Sequence, residues 1–220
     1  KQKGDENYNN FCVLNHLKLL SIDDTATMLQ IFSDQATYHS YISREINLRF
    51  HDSSSVFRNP KKLRYLKNLF RKDKGEIVDE ILNIKPKLNI VSNCIFQVAR
   101  PLLKAFENRL KIILCVRHPA YILKDWVNYL PKIGKEVKDL TPTIGEKGEY
   151  PWYAEDLDNF MELGAFEKAI NCIVSLTKLQ EQMESSGLFD EKNLLIIPHE
   201  SFIFESEKWV DKICFFLIRQ

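Results

Sequence analysis

Arg117, His118 and Pro119 stand directly after an apolar run, and Asp125 follows Arg117 by eight residues. A guanidinium is a planar fork of N–H donors that stays charged at any working pH and meets a phosphate or sulfate through two bonds at once. Pro119 supplies the fixed φ of a helix's first turn, so a helix begins beside Arg117 and its free N–H groups add a second preference for anions. Two further places put polar groups at the end of an apolar run: Ser92-Asn93 after residues 88–91, and His199-Glu200 after residues 193–197. Ser92 and Asn93 offer hydrogen-bonding capacity to a ligand, or cap the helix expected over 95–107. His199 and Glu200 leave the carboxyl end of the later strand. Trp152, with Tyr150 and Tyr153, brings rings that stack on an adenine or a sugar, or pack against the sheet. Arg117 and the helix start beside it suit the capture of an anion at a strand end.

The elements that position them are read from the apolar patterns. Ile112, Ile113, Leu114, Cys115 and Val116 form an unbroken run, too short for a helix and rich in β-branched residues, which predicts a strand buried on both faces. Residues 88–91 predict an earlier strand, with a helix over 95–107 between the two that Pro101 kinks or breaks. Strand, crossover helix, strand implies parallel neighbours. With 193–197 as the third strand, residues 112–116 are expected at the centre, flanked by the strands of Ile90 and Leu195. Arg117 then stands at the carboxyl end of a central strand, where open α/β sheets place their ligands.

Strand, Arg-x-Pro, helix, here Arg117-His118-Pro119, resembles the motif with which nucleotide-dependent sulfotransferases hold the 3′-phosphate of 3′-phosphoadenosine 5′-phosphosulfate. The resemblance covers about residues 88–217 and extends to the late strand with its aromatic-acidic successor, which is His199-Glu200 here. It implies a three-layer α/β domain with a central parallel sheet, sulfotransferase-like and thus P-loop NTPase-like, and sulfuryl transfer to a hydroxyl or amine of a small-molecule, glycan or peptide acceptor. Arg117 is the implied 3′-phosphate ligand, and no metal is implied. Ser92 and Asn93 fall where the family presents a Lys or Ser toward the transferred group. Asp125 occupies the position of the family's second 3′-phosphate ligand, a Ser. A carboxylate beside a phosphate repels it, so Asp125 is expected to turn away or to be neutralised by a neighbouring cation, Lys124 or Lys132. The family's Gly-rich donor loop has no counterpart: only Gly4 and Gly75 precede the motif, and neither follows an apolar strand. The catalytic base is not assigned.

The rest of the chain reads as helical packing. Residues 11–50 suggest two or three helices, the second capped by Asp23 or Asp24. Asn59-Pro60 opens a helix to Phe70 with Leu63, Leu66, Leu69 and Phe70 inward, and the cations Arg58, Lys61, Lys62, Arg64, Lys67, Arg71, Lys72 and Lys74 around it. These form either a solvated face or a docking surface for an acidic acceptor. Residues 76–82 are a short amphipathic helix, and 131–152, with Gly134, Pro142, Gly145, Gly148 and Pro151, are loop-like. A long helix over 155–184 ends at Gly187, and Ser206 caps a closing helix whose Trp209, Val210, Ile213 and Leu217 face inward.

The 220 residues suit one domain, with a mainly helical part over 1–87 and an α/β core over 88–220. Charges nearly cancel, 31 Lys and Arg against 30 Asp and Glu, which removes any chain-wide argument for nucleic acid or an anionic membrane as partner. No apolar segment is long enough to span a bilayer. Cys12, Cys94, Cys115, Cys172 and Cys214 are scattered, without metal spacing, and read as reduced core residues. That pattern favours the cytoplasm. Lys1 and Gln220 both look like cuts in a longer chain, and a membrane anchor before Lys1 would instead place the domain in the Golgi lumen. Besides the sulfotransferase, two readings stay open: a non-catalytic binding module on the same scaffold, and another nucleotide-dependent transferase or kinase of that architecture.

Overall fold

The computed structural model describes residues 5–44, 46–52, 55–71, 75–133, 141–146 and 148–218. Lys1, Gly4, Lys72, Lys74, Gly134, Arg219 and Gln220 lie outside them. The architecture is a helical α/β arrangement around a small parallel sheet.

Helix α1 (Asp5–His16) is followed by α2 (Ile22–Tyr41), which is capped by Ser21, two residues before the expected Asp23: the Ser21 hydroxyl accepts from Asp24 N–H at 3.1 Å. Helix α2 ends at Tyr41, and Ser43 turns the chain at a φ of 59°, so the third helix foreseen toward Phe50 does not form. Helix α3 (Lys62–Leu69) starts later than Asn59-Pro60, because the Asn59 side chain accepts from Lys61 N–H at 2.8 Å in a turn of its own. Its expected inner face is largely bare, with Leu63 76% and Phe70 83% exposed.

Helix α4 (Gly75–Ile84) precedes an extended stretch, and α5 (Arg100–Phe106) takes Pro101 in its first turn, so the proline opens a helix there. Strand β1 (Ile112–Val116) and α6 (Pro119–Tyr129) follow as expected. A short hairpin of β2 (Thr143–Ile144) and β3 (Tyr150–Pro151) turns with Gly145 at a φ of 96°. The long helix expected over 155–184 is divided into α7 (Leu157–Phe160) and α8 (Ala165–Ser185). Gly164 begins the second, its N–H bound by Glu167 Oε2 at 2.8 Å, and Gly187 ends it at a φ of 69°. Strand β4 (Leu194–Pro198), α9 (His199–Phe204) and α10 (Ser206–Ile218) complete the order. Trp209 and Phe216 are the buried residues of α10, whereas Val210 and Leu217, expected inside, are exposed.

β1 and β4 are parallel, with Ile112 level with Leu194 and Val116 level with Pro198. The sheet departs from expectation on its other side. Residues 88–91 have no ladder partner among the described residues; Ile90 leans on the core while Val91 is 67% exposed. β1 is therefore paired along one edge instead of two, and its faces alternate: Ile113 and Cys115 are exposed while Ile112, Leu114 and Val116 are half-buried. The strand buried on both faces is corrected to a strand with one covered face, because no described element lies over Ile113 and Cys115.

The core joins the helical first part to the sheet-bearing second. Tyr8, Cys12 and Val13 of α1 and Leu29 of α2 meet Val98, Leu102 and Ala105 around α5, Trp152 and Tyr153 after β3, and Cys172 and Leu176 of α8. Cys12 and Cys172 are buried, but Cys115 and Cys214 are exposed, so burial of the cysteines holds only in part.

Candidate functional site

The strand ends assemble the site. Continuing the register past Val116 and Pro198 puts Arg117-His118 beside His199-Glu200, and His118 N–H donates to Glu200 Oε1 at 3.2 Å. That bond ties the first residue before α6 to the first turn of α9. His118 also caps α6: its Nδ1 accepts from Ala120 N–H at 3.2 Å, which leaves the proton of the neutral ring on Nε2. The ring lies 5.4 Å from that of Tyr121.

Glu200 is held below the ordinary carboxylate value chiefly by its own backbone N–H, which desolvation opposes, and then by the His118 N–H and the His199 and His118 imidazoles. It is an ionised acceptor at neutral pH. Desolvation, and then the Glu200 carboxylate, push the thiol of the exposed Cys115 upward, away from the thiolate form.

Arg117 reaches across the start of α6 to Asp125, Nη1 to Oδ2 at 2.8 Å, with side chains 40% and 64% exposed. The counter-cation of Asp125 is thus Arg117 itself, and neither Lys124 nor Lys132 takes that place. One guanidinium nitrogen is engaged; Nε and Nη2 make no other hydrogen bond among the described residues and remain open to solvent and to an anion. The carboxylate occupies half of the fork and offsets its charge.

The other sequence candidates do not converge on this point. Ser92 is half-buried and Asn93 exposed, and among the described residues no hydrogen bond joins either to Arg117. Neither caps a helix: α5 begins after Ala99, without a side-chain cap. Trp152 is 3% exposed, edge-on to His16 at 5.4 Å and to Tyr153 at 5.4 Å, and Tyr153 stands 5.5 Å from Trp126 of α6. These rings form the packing beneath α6, the second of the two roles their composition allows.

Sequence reasoning missed two relationships, the Arg117–Asp125 pair and the His118–Glu200 bridge. The signal for the second was present: Arg117-His118 and His199-Glu200 follow their strands at equal offsets, so parallel pairing brings them level. Among the described residues there is no group of three His, Cys, Asp or Glu able to hold a metal, and no helix long and apolar enough to cross a membrane. The donor set fits one phosphate or sulfate group at Arg117, but no described loop supplies the N–H cradle that a phosphosulfate requires. No protein-family model, no curated protein and no solved structure matches the chain, and the geometry of the two strand ends is what its function must be read from.

Proposed function

We propose that the protein binds 3′-phosphoadenosine 5′-phosphosulfate at the carboxyl ends of β1 and β4 and transfers its sulfuryl group to a hydroxyl or amine of a small-molecule, glycan or peptide acceptor. The parallel pair is then part of a three-layer, sulfotransferase-like domain. One observation carries the reading: Arg117 leaves a parallel strand one residue before the cap of α6, with Nε and Nη2 open to an anion. Within it, Arg117 holds the 3′-phosphate, His118 fixes the start of α6, and Glu200 holds the His118 backbone in place. No step is assigned to the phosphosulfate, because the residues that would cradle it are not among these.

The experiment is calorimetric titration with 3′-phosphoadenosine 5′-phosphate, with adenosine 5′-phosphate as the ligand lacking the 3′ group. Binding of the first, weaker binding of the second, and a loss of about 2 kcal/mol in Arg117→Ala are expected. Equal affinities in wild type and Arg117→Ala overturn the proposal.

A second reading, a binding module without catalysis, is favoured by the Arg117–Asp125 pair, which offsets the clamp's charge. Bisphosphate binding without transfer of labelled sulfate to any of a panel of phenols, sugars and amines would select it.

A further inference from the structure

On the helical side of the molecule, a cleft of about 220 Å³ opens between the end of α2, helix α3 and the stretch after α4. Thr37 and Tyr41 line one wall, Arg64, Tyr65 and Asn68 a second, and Lys87 the third. No carboxylate lines it. The nearby Glu80 is already spent: it takes both Arg71 nitrogens, at 2.7 and 3.1 Å, and the Tyr41 hydroxyl at 2.7 Å. Arg64 and Tyr65, by contrast, make no side-chain hydrogen bond or ion pair among the described residues. Lys87 gives one bond to Leu217 O at the end of α10, at 2.7 Å, and keeps its other N–H donors.

We infer that this cleft is a binding site for a phosphate or sulfate monoester carried on a small polyol such as a sugar. The charge argument is local. Arg64 and Lys87 line a space with no carboxylate in its walls, and residues 58–67 add Arg58, Lys61, Lys62 and Lys67 with no acid between them, so the potential there favours an anion although the whole chain is nearly neutral. The size argument sets the class. At about 220 Å³ the cleft is smaller than the ~300–1,000 Å³ of pockets that take drug-sized ligands, and it suits one oxyanion and part of a ring. The hydroxyls of Thr37 and Tyr65 and the ring of Tyr65 then meet the polyol, while the Arg64 fork takes the anion and the Lys87 ammonium, held at Leu217 O, adds its charge from the side. None of the cleft residues belongs to the strand-end site, so the inference stands whether or not a nucleotide binds at Arg117.

The test is calorimetry and ¹H–¹⁵N chemical-shift mapping on the intact chain with glucose 6-phosphate, glucose 6-sulfate, inorganic phosphate and glucose. Saturable binding of either monoester, tighter than inorganic phosphate and absent for glucose, is expected, with shifts at Thr37, Tyr65 and Lys87. Arg64→Gln is expected to weaken it by about tenfold. Lys62→Gln, on the same helix but outside the cleft, is expected to change it by less than about twofold. Arg64 is a solvent-facing helical residue, and an unchanged far-ultraviolet circular dichroism spectrum checks that its variant folds. Equal binding in wild type and Arg64→Gln, or inorganic phosphate alone binding, overturns the inference. So does a duplex oligonucleotide that binds more tightly than either monoester and loses as much with Lys62→Gln as with Arg64→Gln, which would make the helix face a nucleic-acid surface.

Discussion

Arg117 Nη1 and Asp125 Oδ2 stand 2.8 Å apart, a cation that leaves β1 bound to an anion two turns into α6. Any phosphate arriving at Arg117 must share the fork with this carboxylate or displace it. At contact distance, and at the effective dielectric of a protein surface, like charges repel by about 4 kcal/mol before solvent and salt reduce the figure. For the proposed 3′-phosphate the pair would matter more than it does for the stability of the fold, to which an ion pair this exposed contributes at most about 1 kcal/mol.

Removing the competing anion is expected to open the clamp. Asp125→Ser should tighten binding of 3′-phosphoadenosine 5′-phosphate by about tenfold. Asp125→Asn should help less, because its amide oxygen still accepts from Arg117. Thermal unfolding of both variants should stay within about 1 kcal/mol of wild type. Titration calorimetry decides: weaker binding in both would give the carboxylate a binding role of its own, and no change would place it outside the site.

Glu200 makes the strand-end bridge sensitive to acid. Its folded value lies below the ordinary 4.5, so the stabilisation is fully present above that value and is lost as pH falls through the lower folded one. Glu200→Gln keeps an oxygen for the His118 N–H but removes the charge. The wild type should unfold at a higher temperature than the variant at pH 6 to 7, and the two curves should converge on acidification below about pH 4. Parallel curves down to strong acid would show that the charge does nothing there.

The clasp between α2, α3 and α4 has a chemical hierarchy. Arg71 grips Glu80 with two nitrogens, Tyr41 adds a hydroxyl, and the guanidinium lies 5.8 Å from the Tyr41 ring. Glu80→Gln should lower the melting temperature more than Tyr41→Phe, since it removes the charge and one of the two acceptor oxygens that Arg71 and Tyr41 share. The double variant should lose less than the sum of the two. Additive losses would mean that the three side chains act independently.

Trp152 separates packing from recognition. Trp152→Ala is expected to cost about 3–5 kcal/mol, as deletion of a buried indole does. Trp152→Phe should retain the fold at lower stability and bind the bisphosphate as wild type does. A selective loss of nucleotide affinity in Trp152→Phe, with unchanged melting, would return the indole to the site.

The sequence made β1, β4 and α6 readable because their signals are local: a short β-branched run, and a proline at the first helical position. Residues 88–91, Leu-Asn-Ile-Val, are also mostly apolar and partly β-branched, yet form no strand. A run of apolar residues states that it is fit for pairing, while a distant backbone edge decides whether it pairs. The division of α7 from α8 was written in Gly164 with Glu167 three residues on, and the continuous apolar stripe hid it. The sequence leaves Asp125 to turn away or to take a neighbouring cation, with Lys124 and Lys132 the nearest. An arginine eight residues earlier is out of reach along a helix counted by fours, but Arg117 lies outside the helix and folds back along it.

A parallel pair whose outer edge has no ladder partner among the described residues acts as an alternating clock for solvent. Ile112 N–H donates to Asn193 O at 2.7 Å, which orients the even-numbered amides of β1 toward β4 and the odd-numbered ones away. In deuterated water, the amides of Leu114 and Val116 should exchange only when the two strands separate. Those of Ile113 and Cys115, which have no backbone partner among the described residues, should exchange at once. Two adjacent residues of one short strand would then report different events, the even amide the opening of the sheet and the odd one the arrival of water at an edge that never closed.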